Sequence, residues 1–273
     1  MTAMTPPERF AALKEYSDRT GTYFGTVDRC VFFYSFVKSQ RPTRIVELGT
    51  GMANTAMWMA AALVELGQGR LYVADGGYGW EAKHSMLEPE EIRPTHEEFF
   101  HALADKFGVS DVVEYRAGRF PPFPDFSKEY DLVFSDYAHG FDDVLKILAY
   151  YLPRMSRVSN IFIDSASSLS GSYLMLRELM RMFECGKVPE LLLQRVHPRR
   201  RNRLIQLVQS SEFQLIPYTE ACERSQNAMA WIRIQPLDLM PRPLSKYRID
   251  SHKAMNNESV NGKLLPLPNL LSD

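Results

Sequence analysis

Five short apolar runs, RIVEL (44–48), RLYVAD (70–75), VVEYRAG (112–118), DLVFSD (131–136) and NIFIDS (160–165), punctuate the chain. Stretches of helical periodicity stand between most of them: ANTAMWMAAALVELG (53–67), THEEFFHALADKFG (95–108) and FDDVLKILAYYLP (141–153), with GSYLMLRELMRMF (171–183) after the fifth. β-branched runs alternating with helices of 10–15 residues predict a parallel sheet covered by helices on both faces, joined by right-handed crossovers. EFQLIPY (212–218) and AMAWIRIQ (228–235) follow closely on each other and read as a closing pair with an antiparallel edge. The expected fold is a doubly wound α/β sheet.

Before the first strand, Pro6 and Pro7 sit where a helix can begin, DRTGTYFGT (18–26) reads as a break, and TVDRCVFFYSFVKSQ (26–40) reads as a second helix ended by Pro42. Its apolar stripe is Val27, Val31, Phe32 and Phe36, with Thr26 or Asp28 as cap. Thr95 and Glu98 form a capping box, and Gly108 stops that helix. The expected organisation is a helical lid over 1–40, a central domain over 41–235, and a tail over 236–273. That tail is rich in proline and asparagine, and is either irregular or laid against a partner subunit, which admits a homo-oligomer.

Length and composition set the limits. A chain of 273 residues with 45% apolar and 24% charged residues supports one large α/β core. A formal net charge of -1 gives no global attraction to nucleic acid or anionic membrane. Cys30, Cys185 and Cys222 are scattered and make neither a disulfide framework nor a zinc site. The first residues lack a signal-peptide pattern and no 18-residue apolar run exists, so a cytoplasmic protein is expected.

The corner VELGTG (46–51) carries the first chemical signal. In a doubly wound sheet, ligands bind beyond the carboxyl ends of the strands. Gly49 and Gly51 allow a sharp turn and a close ligand approach, with Thr50 between them, although a tight turn alone also explains them. Asn54 stands where a dinucleotide fingerprint has its third glycine, and the Lys-Ser/Thr of a phosphate loop is missing. Glu47 would repel a pyrophosphate and suits a ligand with a cationic part. Asp75, followed by Gly76 at the tip of the second run, can accept hydrogen bonds from both hydroxyls of a ribose, or can simply cap a turn. A nucleoside with a positively charged amino-acid tail satisfies both acids, and S-adenosylmethionine is such a molecule.

E-L-G-T-G after the first strand, an acid ending the second, and D-L-V-F-S-D before the fourth helix resemble class I S-adenosylmethionine-dependent methyltransferases over about residues 40–235. The resemblance implies a Rossmann-like seven-stranded sheet with an antiparallel last strand. It also implies an S-adenosylmethionine site made by Glu47, Gly49, Thr50, Gly51, Asn54, Asp75, Gly76 and Asp136.

A second constellation follows, DYAHG and IDSAS. Asp136 and Asp164 end adjacent strands, and two such carboxylates can hold a hard divalent ion that activates a hydroxyl. His139, three residues after Asp136, can take the proton. The D-x-x-H is similar to metal-dependent sugar O-methyltransferases of antibiotic pathways and to related cephalosporin-tailoring proteins. By that resemblance Asp136 is a catalytic residue and metal ligand, His139 the base, Asp164 a second ligand, and Mg2+ the ion. Those proteins carry two consecutive acids at the fifth tip, where this chain has Asp164-Ser165. The structural alternative is that His139 caps or packs in a loop while Asp136 starts a turn.

Weaker features complete the reading. Trp80 either stacks on an adenine ring or packs in the core or a lid. His84, His96 and His101 are expected on a solvated surface rather than in a pocket. Tyr78, Tyr137 and Phe141 shape a pocket or fill the core. VHPRRRNR (196–203) is expected to be a solvated face. The Asn/Asp-Pro-Pro-Tyr/Phe loop of base-methylating enzymes is replaced by Asp136-Tyr137-Ala138-His139, which argues against base methylation but not against small amines. The expected function is O-methylation of a small natural product, with N-methylation of an amine or a non-catalytic cofactor-binding subunit as alternatives. A nicotinamide dehydrogenase is disfavoured by Glu47 and the missing third glycine.

Overall fold

Seven strands form one twisted sheet in the order β3-β2-β1-β4-β5-β7-β6. They are β1 (Arg44–Leu48), β2 (Arg70–Asp75), β3 (Val113–Ala117), β4 (Tyr130–Ser135), β5 (Met155–Asp164), β6 (Ser211–Thr219) and β7 (Ala228–Pro236). β1 to β5 pair in parallel, while β7 runs antiparallel to both β5 and β6. The architecture therefore agrees with the α/β expectation, including the antiparallel edge. The computed structural model describes residues 4–24, 26–118, 129–137, 139–167, 170–220 and 227–239. Cys222 and most of the expected tail, 240–273, lie outside the described residues.

The strands alternate their side chains between two cores, because successive residues point to opposite faces. Ile45, Leu71, Val73, Leu132, Phe134 and Phe162 meet one helical layer. That layer contains α1 (Pro6–Phe24), α2 (Val27–Gln40), α3 (Asn54–Leu66) and α5 (His96–Lys106); a short α4 (Trp80–Lys83) joins it in the loop after β2. Val46, Leu48, Val133, Ile161, Ile163 and Ile232 meet the other. Its helices are α6 (Phe141–Tyr151), α7 (Ser170–Glu184), α8 (Glu190–Leu193) and α9 (Arg201–Ser210).

Two expectations for the N-terminal helices need correction. DRTGTYFGT does not break the chain before Phe24; α1 runs through Gly21. Tertiary anchors outweigh weak local propensity there: Tyr16 Oη donates to Met52 O at 2.8 Å and Ser17 Oγ to Asn54 Oδ1 at 2.9 Å. In α2 the buried side chains are Arg29, Cys30, Phe33, Phe36 and Val37, so the buried stripe shares only Phe36 with the expected one. Phe33 packs on Phe134 of β4 and Phe162 of β5, and Phe36 meets Trp231 of β7. Thr26 is the cap, accepting from Arg29 N at 3.1 Å. The segment 201–210, beginning in the basic run, is helical because Leu204, Leu207 and Val208 lie on one buried face.

Backbone contacts hold the tips of the central strands close together. Gly49 N donates to Ala74 O at 2.8 Å, and Asp136 N donates to Leu48 O at 2.8 Å. Gly49 has φ +74°, and a Cβ there would lie 2.6 Å from Asp136 O and 3.0 Å from Tyr137 Cα. Gly67, the C-cap of α3, has φ +65° with nothing within 4 Å of such a Cβ.

The two glycines separate backbone strain from collision. Gly67→Ala pays only the left-handed conformation and should cost about 1 kcal/mol. Gly49→Ala must also push the β4 tip away and should cost about 3 kcal/mol, lowering Tm by roughly 6–12 °C. Thermal unfolding of both variants checks the ordering; equal losses would mean that the tips move apart freely.

Candidate active site

Glu47 shares the face of Ile45 on β1 and is 1% exposed. Burial, together with the neighbouring Asp136 and Asp75, pushes its carboxyl well above the usual carboxylate range, against the pull of a hydrogen bond from Thr50. Thr50 Oγ1 donates that bond at 3.2 Å. The loop beyond turns through left-handed residues, Gly49, Gly51 and Ala53, before α3 starts. Asn54 opens α3 with its side chain turned into α1, where Ser17 and Thr20 bond it.

Asp75 ties the loops together. Its Oδ2 accepts from Thr50 N at 2.8 Å and Gly51 N at 3.2 Å, and its Oδ1 accepts from Gly77 N at 2.7 Å. The turn-capping role is thus present. An ionised carboxylate offers about four acceptor positions, so capacity for a ligand hydroxyl is left. Gly76 lies under the Tyr78 ring, where a Cβ would meet Cε2 at 2.4 Å.

The histidine expectation is corrected at one position. His96 is buried, because the capping box starts α5 against the loop rather than in solvent. Its Nε2–H donates to Gly51 O at 2.7 Å, and its Nδ1 faces Tyr115 Oη at 2.8 Å. Desolvation lowers its pKa, so the neutral ring is favoured. His101 is exposed, and His84 is half-buried beside Trp80. Trp80 packs on Phe99 and His96 and donates from Nε1 to Arg93 O at 2.9 Å. With Gly76, Gly77, His96 and Tyr115 it lines a cleft of about 520 Å³ beside Asp75. Lys83, on α4, is nearly buried; desolvation lowers its pKa, while Asp75 and Asp136 act in the opposite direction.

The second constellation gathers at the β4 and β5 tips. One ligand atom each of Asp136, His139 and Asp164 lie within 4.8 Å of one another. His139 Nδ1–H donates to the main-chain carbonyl of Asp164 at 2.9 Å, and Ser172 Oγ donates to His139 O at 2.6 Å. That bond fixes the neutral tautomer, so Nε2 carries the lone pair. Nε2 stands 3.9 Å from Asp136 Oδ1. Tyr137 and Phe141, after β4, and Tyr78, after β2, are exposed instead of filling the core.

By distance these three residues suit an ion, and Asp164 also has a cationic partner within the chain. Arg29 Nη1 pairs with Asp164 Oδ1 at 2.6 Å, with both side chains at most 1% exposed. Ser165 Oγ donates to Asp164 Oδ2 at 2.8 Å. Arg29 Nε in turn meets Glu220 Oε1 at 2.5 Å. Arg29, Glu220 and Lys83 are buried polar residues that sequence reasoning did not single out. The only sequence signal for Arg29 was a charge on the helical face shared with Phe33 and Phe36.

The basic run is mostly at the surface, with Arg203 paired to Glu129. Among the described residues no helix is long and apolar enough to cross a membrane.

Comparison with known proteins agrees with this arrangement. Residues 46–166 match the family model of a methyltransferase domain. No curated protein matches the chain. Among solved structures, a candidate O-methyltransferase of Klebsiella pneumoniae is 14% identical, with TM-score 0.51, over 83% of this chain and 90% of that one. Cofactor-bound Rv0187 of MTB is 17% identical, with TM-score 0.50, over 84% and 90%. The O-methyltransferase of Bacillus cereus in complex with SAH is 11% identical, with TM-score 0.50, over the same shares, 84% and 90%. At such identities the likeness is one of fold, and over residues 46–166 the chain matches a methyltransferase domain.

Proposed function

We propose that the protein transfers a methyl group from S-adenosylmethionine to a hydroxyl of a small molecule, with His139 as general base. The observation that carries this reading is the His139 tautomer, with Nδ1–H held by Asp164 O and Nε2 open beside Asp136 at the tip next to the acidic corner. When bound, S-adenosylmethionine supplies an electrophilic methyl on a sulfonium.

The chain's own residues fit that molecule. Glu47 offers a buried carboxyl to its ammonium group, with Gly49, Thr50 and Gly51 giving close approach. Asp75 and Gly76 face the ribose beside the Trp80-lined cleft. Asp136 stands between the cofactor end and the acceptor end. There His139 Nε2 takes the hydroxyl proton as the oxygen attacks, and Asp136 stabilises the imidazolium that results. Most of the acceleration then comes from positioning. Tyr78, Tyr137 and Phe141 supply exposed aromatic surface for an aromatic or sugar-like acceptor, as in natural-product tailoring. The N-terminal helices cover the cofactor end through the Tyr16, Ser17 and Thr20 bonds to the 52–54 turn.

Transfer of labelled methyl to a panel of hydroxylated aromatics and sugars tests the reading. His139→Ala should lower kcat by about 10²–10⁴-fold with the affinity for S-adenosylhomocysteine kept. The low-pH fall of the wild-type rate should disappear in the residual activity. A variant with full turnover removes His139 from the chemistry.

Glu47 gives a second prediction. Its pKa in the fold lies above the value of 4.5 expected for an unfolded chain. Above that pH the unfolded chain releases the proton more readily than the fold does, so Glu47 lowers stability increasingly as pH rises. Glu47→Gln should therefore stabilise the ligand-free protein by about 1–3 kcal/mol near pH 8 and far less near pH 5. The same variant should lose at least tenfold in S-adenosylhomocysteine affinity. Melting curves at the two pH values and calorimetric titration check both halves; a pH-independent stability difference would contradict the buried-acid account.

A further inference from the structure

The candidate metal site already contains a cation, and it belongs to the chain. Arg29 comes from α2, outside the strand tips that carry Asp136 and Asp164. Its guanidinium is buried; Nη1 forms an ion pair with Asp164 Oδ1 at 2.6 Å, and Nε donates to Glu220 Oε1 at 2.5 Å. Glu220 Oε2 accepts from Thr26 Oγ1, the hydroxyl that caps the helix bearing Arg29. The network is closed: the cap, the arginine and two acids hold each other in fixed positions.

We propose that Arg29 is the resident cation of the acceptor end and makes methyl transfer independent of a divalent ion. A guanidinium stays charged at any pH the protein meets, and its planar fork suits a buried carboxylate. An ion bound by Asp136, His139 and Asp164 together would need an oxygen of the carboxylate that Arg29 already pairs. It would also sit within a few ångströms of a fixed positive charge, in a site where screening by water is weak. Instead, Arg29 holds the Asp164 residue, and the main-chain carbonyl of Asp164 holds His139 Nδ1–H at 2.9 Å. Arg29 is thus a positioning residue. It acts through Asp164 on the tautomer that leaves Nε2 free to accept a proton. No atom is transferred to or from it.

This inference rests on the reading of His139 as the base, and its first test is independent of turnover. Mn2+ and Mg2+ are titrated into the wild-type protein by calorimetry and by thermal shift, before and after exhaustive chelation. The expected result is no saturable binding, no shift in Tm, and methyl transfer unchanged by chelation. Saturable Mn2+ binding that disappears in Asp164→Asn overturns the proposal, whether or not a methyl acceptor has been found.

The second test uses Arg29→Lys and Arg29→Met. Each should lower kcat by about 10–100-fold, as loss of a partner that orients a functional side chain does. Affinity for S-adenosylhomocysteine should stay within about twofold, since the cofactor corner is untouched. Arg29→Lys should recover part of the loss. Imidazole nitrogen NMR should show His139 passing from one tautomer to a mixture in Arg29→Met. A folded Arg29→Met protein with wild-type kcat and an unchanged His139 signal overturns the positioning role. Should Arg29→Met fail to fold, the Arg29→Lys kinetics and the wild-type titration decide.

Discussion

The site depends on strand tips held level by backbone hydrogen bonds that leave no room for a side chain at Gly49. Leu48 O accepts from Asp136 N and Gly49 N donates to Ala74 O, both at 2.8 Å, so the β1 ladders run one step past the strand on either side. Every loop carrying a functional side chain starts from that level. The consequence is electrostatic: Glu47, Asp75 and Asp136 stand at three adjacent strand tips, and the two aspartates add to the burial that holds the Glu47 carboxyl above the usual carboxylate range. A sheet that brings its tips this close must find counter-charge for them.

The two ends of the site find it in different ways. At the β1 and β2 tips, Asp75 takes three backbone amides, and Glu47 has a hydroxyl and a raised pKa. Such a corner remains receptive to a cationic ligand, because an arriving ammonium relieves the cost of the buried acid. At the β5 tip, Asp164 is neutralised in advance by Arg29, and its main chain is free to orient His139. A preoriented group needs no reorganisation when charge develops on the reacting oxygen. On the proposed reading, one end binds charge and the other moves a proton.

The pattern of the sheet was legible because buried parallel strands are continuous β-branched runs and their helices carry clear caps, as Thr95 with Glu98 shows. The acids at the tips were legible for the same reason: a charge that ends an apolar run has few structural explanations. Arg29 was not. In VDRCVFFYSFVKSQ apolar residues occur on several sides, and a buried arginine paired with two acids looks in sequence like a surface position. His96 was hidden by its neighbours, since glutamates that follow it on α5 face solvent while it faces the loop. The helix Arg201–Ser210 was hidden by the basic run that begins it, although Leu204, Leu207 and Val208 keep a helical spacing.

Arg29 and Glu220 lie outside the matched domain. The matched domain spans 46–166 and contains Glu47, Asp75, Asp136, His139 and Asp164. Arg29 precedes it, on a helix packed across β4, β5 and β7, and Glu220 follows it, just after β6. The two meet because α2 directs its capped N-terminus to the tip edge, where β6 also ends at Thr219 with Glu220 next in the chain. The domain therefore contains the Glu47–Asp75 corner and His139, and the flanking segments contribute the Arg29–Glu220 pair beside Asp164. If metal dependence varies among proteins with this sheet, the residue to compare is the one that α2 brings to the β5 tip, not the strand-tip acids alone.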